Sequence, residues 1–129
     1  MIRETLLLNK KKKILLIDDE AEIVSSVSEM LVESGYEVTG ATSGSEGLKK
    51  AIQDHPDLIF LDIIMPKMDG YEVLRKLKRD ADVWDIPVIM VTAKGETASI
   101  LQTLDLNATD YIIKPFNIND LLRAIDRYA

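Results

Sequence analysis

No cysteine occurs anywhere in the 129 residues. Disulfides, thiolate metal sites and cysteine nucleophiles are excluded together, and a reducing, cytoplasmic compartment suits such a chain. A surplus of positive charge is also missing: 16 basic residues stand against 22 acidic ones, for a net charge of −6. Gripping nucleic acid takes clustered Lys and Arg to neutralise phosphates, so direct nucleic-acid binding is not expected. No apolar run approaches the ~20 residues of a membrane-spanning helix, and no membrane segment is expected. Histidine is reduced to one residue, His55. What is present is enough apolar material, 47% of the chain, to build a core, in a length that suits one domain.

Met1 to Lys13 differ from the rest. Arg3 and Lys10 to Lys13 face a single acid, Glu4. Leu6, Leu7 and Leu8 are too short an apolar stretch for a signal peptide, and no small-residue cleavage site follows them. Residues 1–12 are expected to form a basic, loosely ordered extension, with an added contact surface or a short helix as the alternative; the domain is expected over 13–129. Without Met1 to Lys13, 11 basic residues remain against 21 acidic ones, so the folded part is near −10.

Five apolar runs follow: Ile14 to Ile17, Tyr36 to Ala41, Leu58 to Leu61, Val88 to Val91 and Tyr111 to Ile113. Four are nearly continuous, the pattern of strands buried on both faces in a helix-covered parallel sheet. Between them lie stretches of helical spacing. Ile23, Val27, Met30 and Leu31 share one face, and Gly35 sits where a left-handed C-terminal cap belongs. Ser43 and Glu46 form a capping box ahead of Leu48, Ala51 and Ile52, and Asp54-His55-Pro56 stops that helix. Val73, Leu74 and Leu77 mark a third helix; Ile100, Leu101 and Leu104 mark a fourth, with Asn107 as a left-handed cap. Ile118, Leu121, Leu122 and Ile125 mark a fifth. Five β-α repeats with right-handed crossovers predict an α/β fold, a doubly wound open five-stranded parallel sheet.

Ligands of such sheets bind beyond the carboxyl ends of the strands. Those positions hold Asp18, Asp19 and Glu20 after the first run, Asp62 after the third, Thr92 and the small Ala93 after the fourth, and Lys114-Pro115 after the fifth. Taken singly, an Asp after a strand is as readily a turn former or helix N-cap, Lys114 a surface lysine and Thr92 a β-branched strand end. Several carboxylates crowded at one edge repel unless a cation lies between them, and oxygen ligands beside a phosphate favour Mg²⁺. A metal, a lysine and a hydroxyl around a carboxylate nucleophile would meet the needs of phosphoryl transfer, which is mostly positioning and charge neutralisation.

The segments Ile14-Leu-Leu-Ile-Asp-Asp-Glu20, Leu61-Asp-Ile-Ile-Met-Pro-Lys-Met-Asp-Gly70, Val91-Thr-Ala93 and Tyr111-Ile-Ile-Lys-Pro-Phe116 together resemble the receiver domain of two-component response regulators, over about residues 13 to 129. The resemblance implies a flavodoxin-like (βα)5 sheet of strand order 2-1-3-4-5. It implies that Asp62 is the phospho-acceptor and that Mg²⁺ is bound by Asp19, Asp62 and the backbone carbonyl of Ile64, with Asp18 acting mainly through water. Lys114, Thr92 and the N–H of Ala93 would contact the phosphoryl group. Tyr111 would change rotamer with Thr92, switching the face made by the fourth helix, fifth strand and fifth helix. The donor would be a phosphohistidine on a histidine kinase or a histidine phosphotransfer protein; His55, expected at the opposite edge, is not that donor. The partner reading the switched face would be a downstream effector or a second copy of the chain. The protein would be a signalling switch rather than an enzyme, catalysing only its own phosphorylation and slow autodephosphorylation. A cis Lys114–Pro115 bond is implied too. Ile64 and Lys94 occupy positions variable in the family, and Asn107 stands where glycine is common.

Three rivals fit less well. A flavodoxin-type electron carrier needs Ser, Thr and Gly N–H donors after the first strand, where this chain has three acids. A haloacid-dehalogenase-like phosphatase needs a second carboxylate two residues after the nucleophile, where this chain has Ile64. A degenerate receiver would not keep Asp18, Asp19, Asp62, Thr92 and Lys114 together. A stand-alone receiver and an excised one look identical at this level.

Overall fold

The computed structural model describes residues 10–93 and 106–129. The elements are β1 (Lys13–Ile17), α1 (Ala21–Glu33), β2 (Glu37–Ala41), α2 (Gly44–Asp54), β3 (Leu58–Asp62), α3 (Gly70–Arg79), β4 (Val88–Ala93), β5 (Asp110–Lys114) and α4 (Ile118–Tyr128). All four strand pairings are parallel, in the order β2-β1-β3-β4-β5. The five expected strands are all found within a residue or two of their expected ends. The helix expected around Ile100 to Leu104 lies outside the described residues, as do residues 1–9 of the extension.

The continuous apolar runs are explained by two cores, one on each face of the sheet. Leu15, Ile17, Ile59, Leu61 and Met90 point to the face covered by α2 and α3. Ile14, Leu16, Phe60, Ile89 and Val91 alternate with them and point to the face covered by α1 and α4. Phe60 is fully buried, and truncating so large a core side chain to Ala costs about 3–5 kcal/mol. Among the described residues no helix is long and apolar enough to cross a membrane.

Helix ends follow local chemistry, with some departures from expectation. Gly35 adopts φ +100 as expected after α1, and His55 takes a left-handed φ of 46 ahead of Pro56. Asn107 also has the expected positive φ, 67. Ser43 caps α2 by accepting the Glu46 N–H at 3.2 Å. The expected reciprocal bond shifts by one residue, because the Glu46 carboxylate accepts from Thr42 N–H at 3.1 Å. Met30 was expected on the buried face of α1 but is 39% exposed, since it lies at the rim of the stripe that Val27 and Leu31 bury.

Candidate functional site

Parallel register decides which loops meet. Ile17 is paired with Leu61, so Asp18 emerges beside Asp62 at the junction of β1 and β3. Chain connections depart in opposite directions at that junction, leaving a crevice. Asp62 is paired with Val91, which puts Thr92 one step beyond, and Ala93 is paired with Lys114 on the next strand. Asp18, Asp19, Asp62, Thr92 and Lys114 therefore come together at this edge, while Tyr111 is found where it is expected, on the fifth strand. That ring lies further back on β5 and is 36% exposed, turned outward rather than into the core.

Ligand oxygens from Asp18, Asp19 and Asp62 all lie within 4.8 Å of one another. Asp18 and Asp62 are buried, at 3% and 6% exposure, while Asp19 is exposed. Lys114 Nζ sits between the two buried carboxylates, 3.3 Å from Asp18 Oδ2 and 3.5 Å from Asp62 Oδ1. The other oxygen of Asp18 accepts the Glu20 N–H at 2.9 Å. The Lys114–Pro115 bond is cis, as expected.

This crowding changes proton affinities. Burial, then the Asp18 carboxylate, pushes Asp62 up from the ordinary 3.8 to about 6; Lys114 pulls the other way and Asp19 adds to the rise. Burial works against the Lys114 ammonium, but Asp62 and Asp18 outweigh it and hold its pKa above the ordinary value. Carboxylates crowded beside one another in a buried pocket are a ready site for a hard cation. The Thr92 hydroxyl is buried with no hydrogen-bond partner among the described residues. An orphaned hydroxyl costs about 1–3 kcal/mol and marks a place where an incoming acceptor would be held. The donor set thus fits Mg²⁺ together with an anionic oxygen group.

Sequence reasoning did not single out the residues that shape the loop after β3. Asp69 caps α3 by accepting the Glu72 N–H at 3.0 Å, and Gly70 N–H donates to Ile63 O at 2.7 Å. The Asp-Gly pair ahead of an apolar-periodic stretch was the available signal. After β5, at the same edge, α4 begins with a full capping box between Asn117 and Asp120.

Fold and site define an α/β protein with an acidic, cation-ready pocket at the junction of its two central strands. The response regulator receiver domain family matches residues 14–126. The chain belongs to that family: it is a receiver domain of the response regulators of two-component systems, a class of signalling protein. It is 42% identical over 124 residues to the probable transcriptional regulator ycf27 of Pyropia yezoensis, covering 94% of this chain and 50% of that protein. It is 44% identical over 119 residues to the alkaline phosphatase synthesis transcriptional regulatory protein PhoP of Bacillus subtilis, covering 90% of this chain and 49% of that one. The chain spans about half the length of the curated relatives it matches. Among solved structures, the Vibrio cholerae chemotaxis protein CheY4 superposes with a TM-score of 0.87 at 32% identity, over 93% of this chain and all of that one.

Proposed function

We propose that Asp62 accepts a phosphoryl group from a phosphohistidine on a histidine kinase or a histidine phosphotransfer protein. One arrangement carries this reading: three carboxylates gathered within 4.8 Å, Lys114 between two of them, and the buried Thr92 hydroxyl without a partner among the described residues. Asp19, Asp62 and the carbonyl of Ile64 would hold Mg²⁺, with Asp18 acting through bound water. The ion supplies charge neutralisation for the transferring group.

In the transfer, an ionised Asp62 oxygen attacks phosphorus, the phosphorus–nitrogen bond to the donor imidazole breaks, and the imidazole leaves as the neutral ring, keeping the proton already on its other nitrogen. Lys114 then pairs with one phosphoryl oxygen. Thr92 donates its hydroxyl proton to a second, and the Ala93 N–H to the same group. Slow return of the phosphoryl group to water is the only other reaction, so the chain acts as a switch and not as a turnover enzyme.

An apolar groove of Ile23, Val27, Met30, Pro115 and Phe116 borders Lys114 and offers a donor protein a surface beside the pocket. Output would run through the face made by residues 96–105, β5 and α4, with Tyr111 following the inward shift of Thr92. A downstream effector or a second copy of the chain would read that face. The relative in Synechocystis is named as a DNA-binding regulator. For this chain, at net charge −6, no direct nucleic-acid contact is proposed. A cytoplasmic setting and a basic extension over residues 1–12 preceding the receiver complete the reading.

The experiment is incubation with acetyl phosphate and Mg²⁺ followed by mass spectrometry. A metal-dependent adduct on Asp62, absent in Asp62→Asn, is expected. Robust modification of the variant at another residue would overturn the assignment.

A further inference from the structure

The loop from Ile63 to Asp69 doubles back on the end of β3. Ile63 is pinned on both sides: its N–H donates to Val91 O at 3.1 Å and its carbonyl accepts from Gly70 N–H at 2.7 Å. Within the loop, Met68 N–H donates to Pro66 O at 2.8 Å across Lys67, which is held at φ 67. Such a three-residue turn with positive φ on a non-glycine residue is strained, and it persists only where the surroundings over-determine it. The surroundings here are the two pinned ends and the first turn of α3, where Asp69 accepts from the Glu72 N–H at 3.0 Å.

Gly70 is buried at the start of α3. A Cβ there would overlap the Asp62 carbonyl oxygen and lie 2.7 Å from Ile63 Cα and 3.1 Å from the Asp62 carbonyl carbon. These are backbone atoms of the site itself, so no side chain can swing aside to make room. Gly35 makes a useful contrast: it adopts φ +100, which any side chain would strain, yet a Cβ there meets nothing within 4 Å, and it precedes β2 at the edge opposite the pocket.

We infer that Gly70 is a positioning residue for the metal site, because the bare backbone of Gly70 seats α3 against Asp62 and Ile63 and so sets the peptide that presents the Ile64 carbonyl. The inference rests on the reading of Asp62, Asp19 and Ile64 as the Mg²⁺ ligands. Any side chain at 70 must push the Asp62–Ile63 backbone away, moving one ligand's anchor and the other's carbonyl together. Outer supports of metal ligands of this kind are typically worth about 10–100-fold in metal affinity.

The test is calorimetric titration of Mg²⁺ into wild type, Gly70→Ala and Gly35→Ala, with folding checked by circular dichroism and an excluded osmolyte added to hold destabilised variants folded. Both variants should lose thermal stability, but only Gly70→Ala should bind Mg²⁺ more weakly, by about 10–100-fold. Equal affinity in wild type and Gly70→Ala overturns the inference. Absence of Mg²⁺ binding by wild type overturns instead the reading beneath it. Where Gly70→Ala does not fold, hydrogen exchange of wild type decides: protection of the Gly70 amide should rise when Mg²⁺ is added, and unchanged protection overturns the inference.

Discussion

Replacing Asp62 by Asn should stabilise the metal-free protein above pH 6 and leave it nearly unchanged at pH 4. Burial and the neighbouring Asp18 charge, only partly offset by Lys114, raise Asp62 from 3.8 to about 6. A carboxyl group with a raised pKa binds its proton more tightly in the folded state than in the unfolded one. Its ionisation therefore opposes folding: the penalty is absent below about 4, grows as pH rises from 3.8 to 6, and is complete above that window. Each tenfold change in proton affinity is worth 1.36 kcal/mol, so the full penalty is up to about 3 kcal/mol. Asn is nearly isosteric and carries no charge, so the variant should lack the penalty. The assay is urea denaturation in EDTA across pH 4 to 8. Wild-type stability should fall through the window relative to Asp62→Asn, and the gap at pH 7 should appear as a melting point roughly 10 °C higher in the variant. Adding Mg²⁺ should narrow the gap, because only the wild type gains the full binding free energy. Parallel pH profiles in EDTA, or a variant less stable than wild type at pH 7, would refute the argument that the pocket holds crowded, buried negative charge.

Asp19→Asn should weaken Mg²⁺ binding more than Asp18→Asn, and both should melt above wild type in EDTA; calorimetry and thermal scans check the pair. Tyr71 also carries a buried hydroxyl without a partner among the described residues, so Tyr71→Phe should be neutral or stabilising by up to about 1 kcal/mol in urea titrations; a marked loss would reveal a partner for that hydroxyl. Beryllofluoride with Mg²⁺ should shift NMR resonances beyond the pocket to Tyr111 and residues 96–105, and changes confined to the pocket would contradict the proposed output face.

Much of this protein was legible in one dimension. A strand buried on both faces must be apolar at nearly every position, and Leu58 to Leu61 and Val88 to Val91 are. A helix between two such strands must show a 3.6-residue stripe, and Val73, Leu74 and Leu77 supply one that is buried throughout. Two-sided burial and parallel order then send Asp18, Asp62, Thr92 and Lys114 to one edge without knowledge of any coordinate. Side-chain pairing at helix ends was less legible, because Asp69 and Asn117 read as ordinary loop residues until their partners at 72 and 120 are placed. Met30 shows a related limit: periodicity assigns a face, but the depth of the neighbouring elements decides how far round the helix that face is covered.

Which groups are present, and in what order, follows from the chain read in one dimension, since hydrophobic period and turn chemistry are properties of near neighbours along it. Tertiary structure alone decided their energies. Asp62 titrates near 6 only because burial excludes water and Asp18 lies alongside, and Gly70 is required only because the backbone of Asp62 and Ile63 passes against it. Lys114 reaches Asp18 across 96 positions of sequence. Electrostatic interaction depends on distance and on the surrounding dielectric, and both are set by segments remote in the chain that fold together.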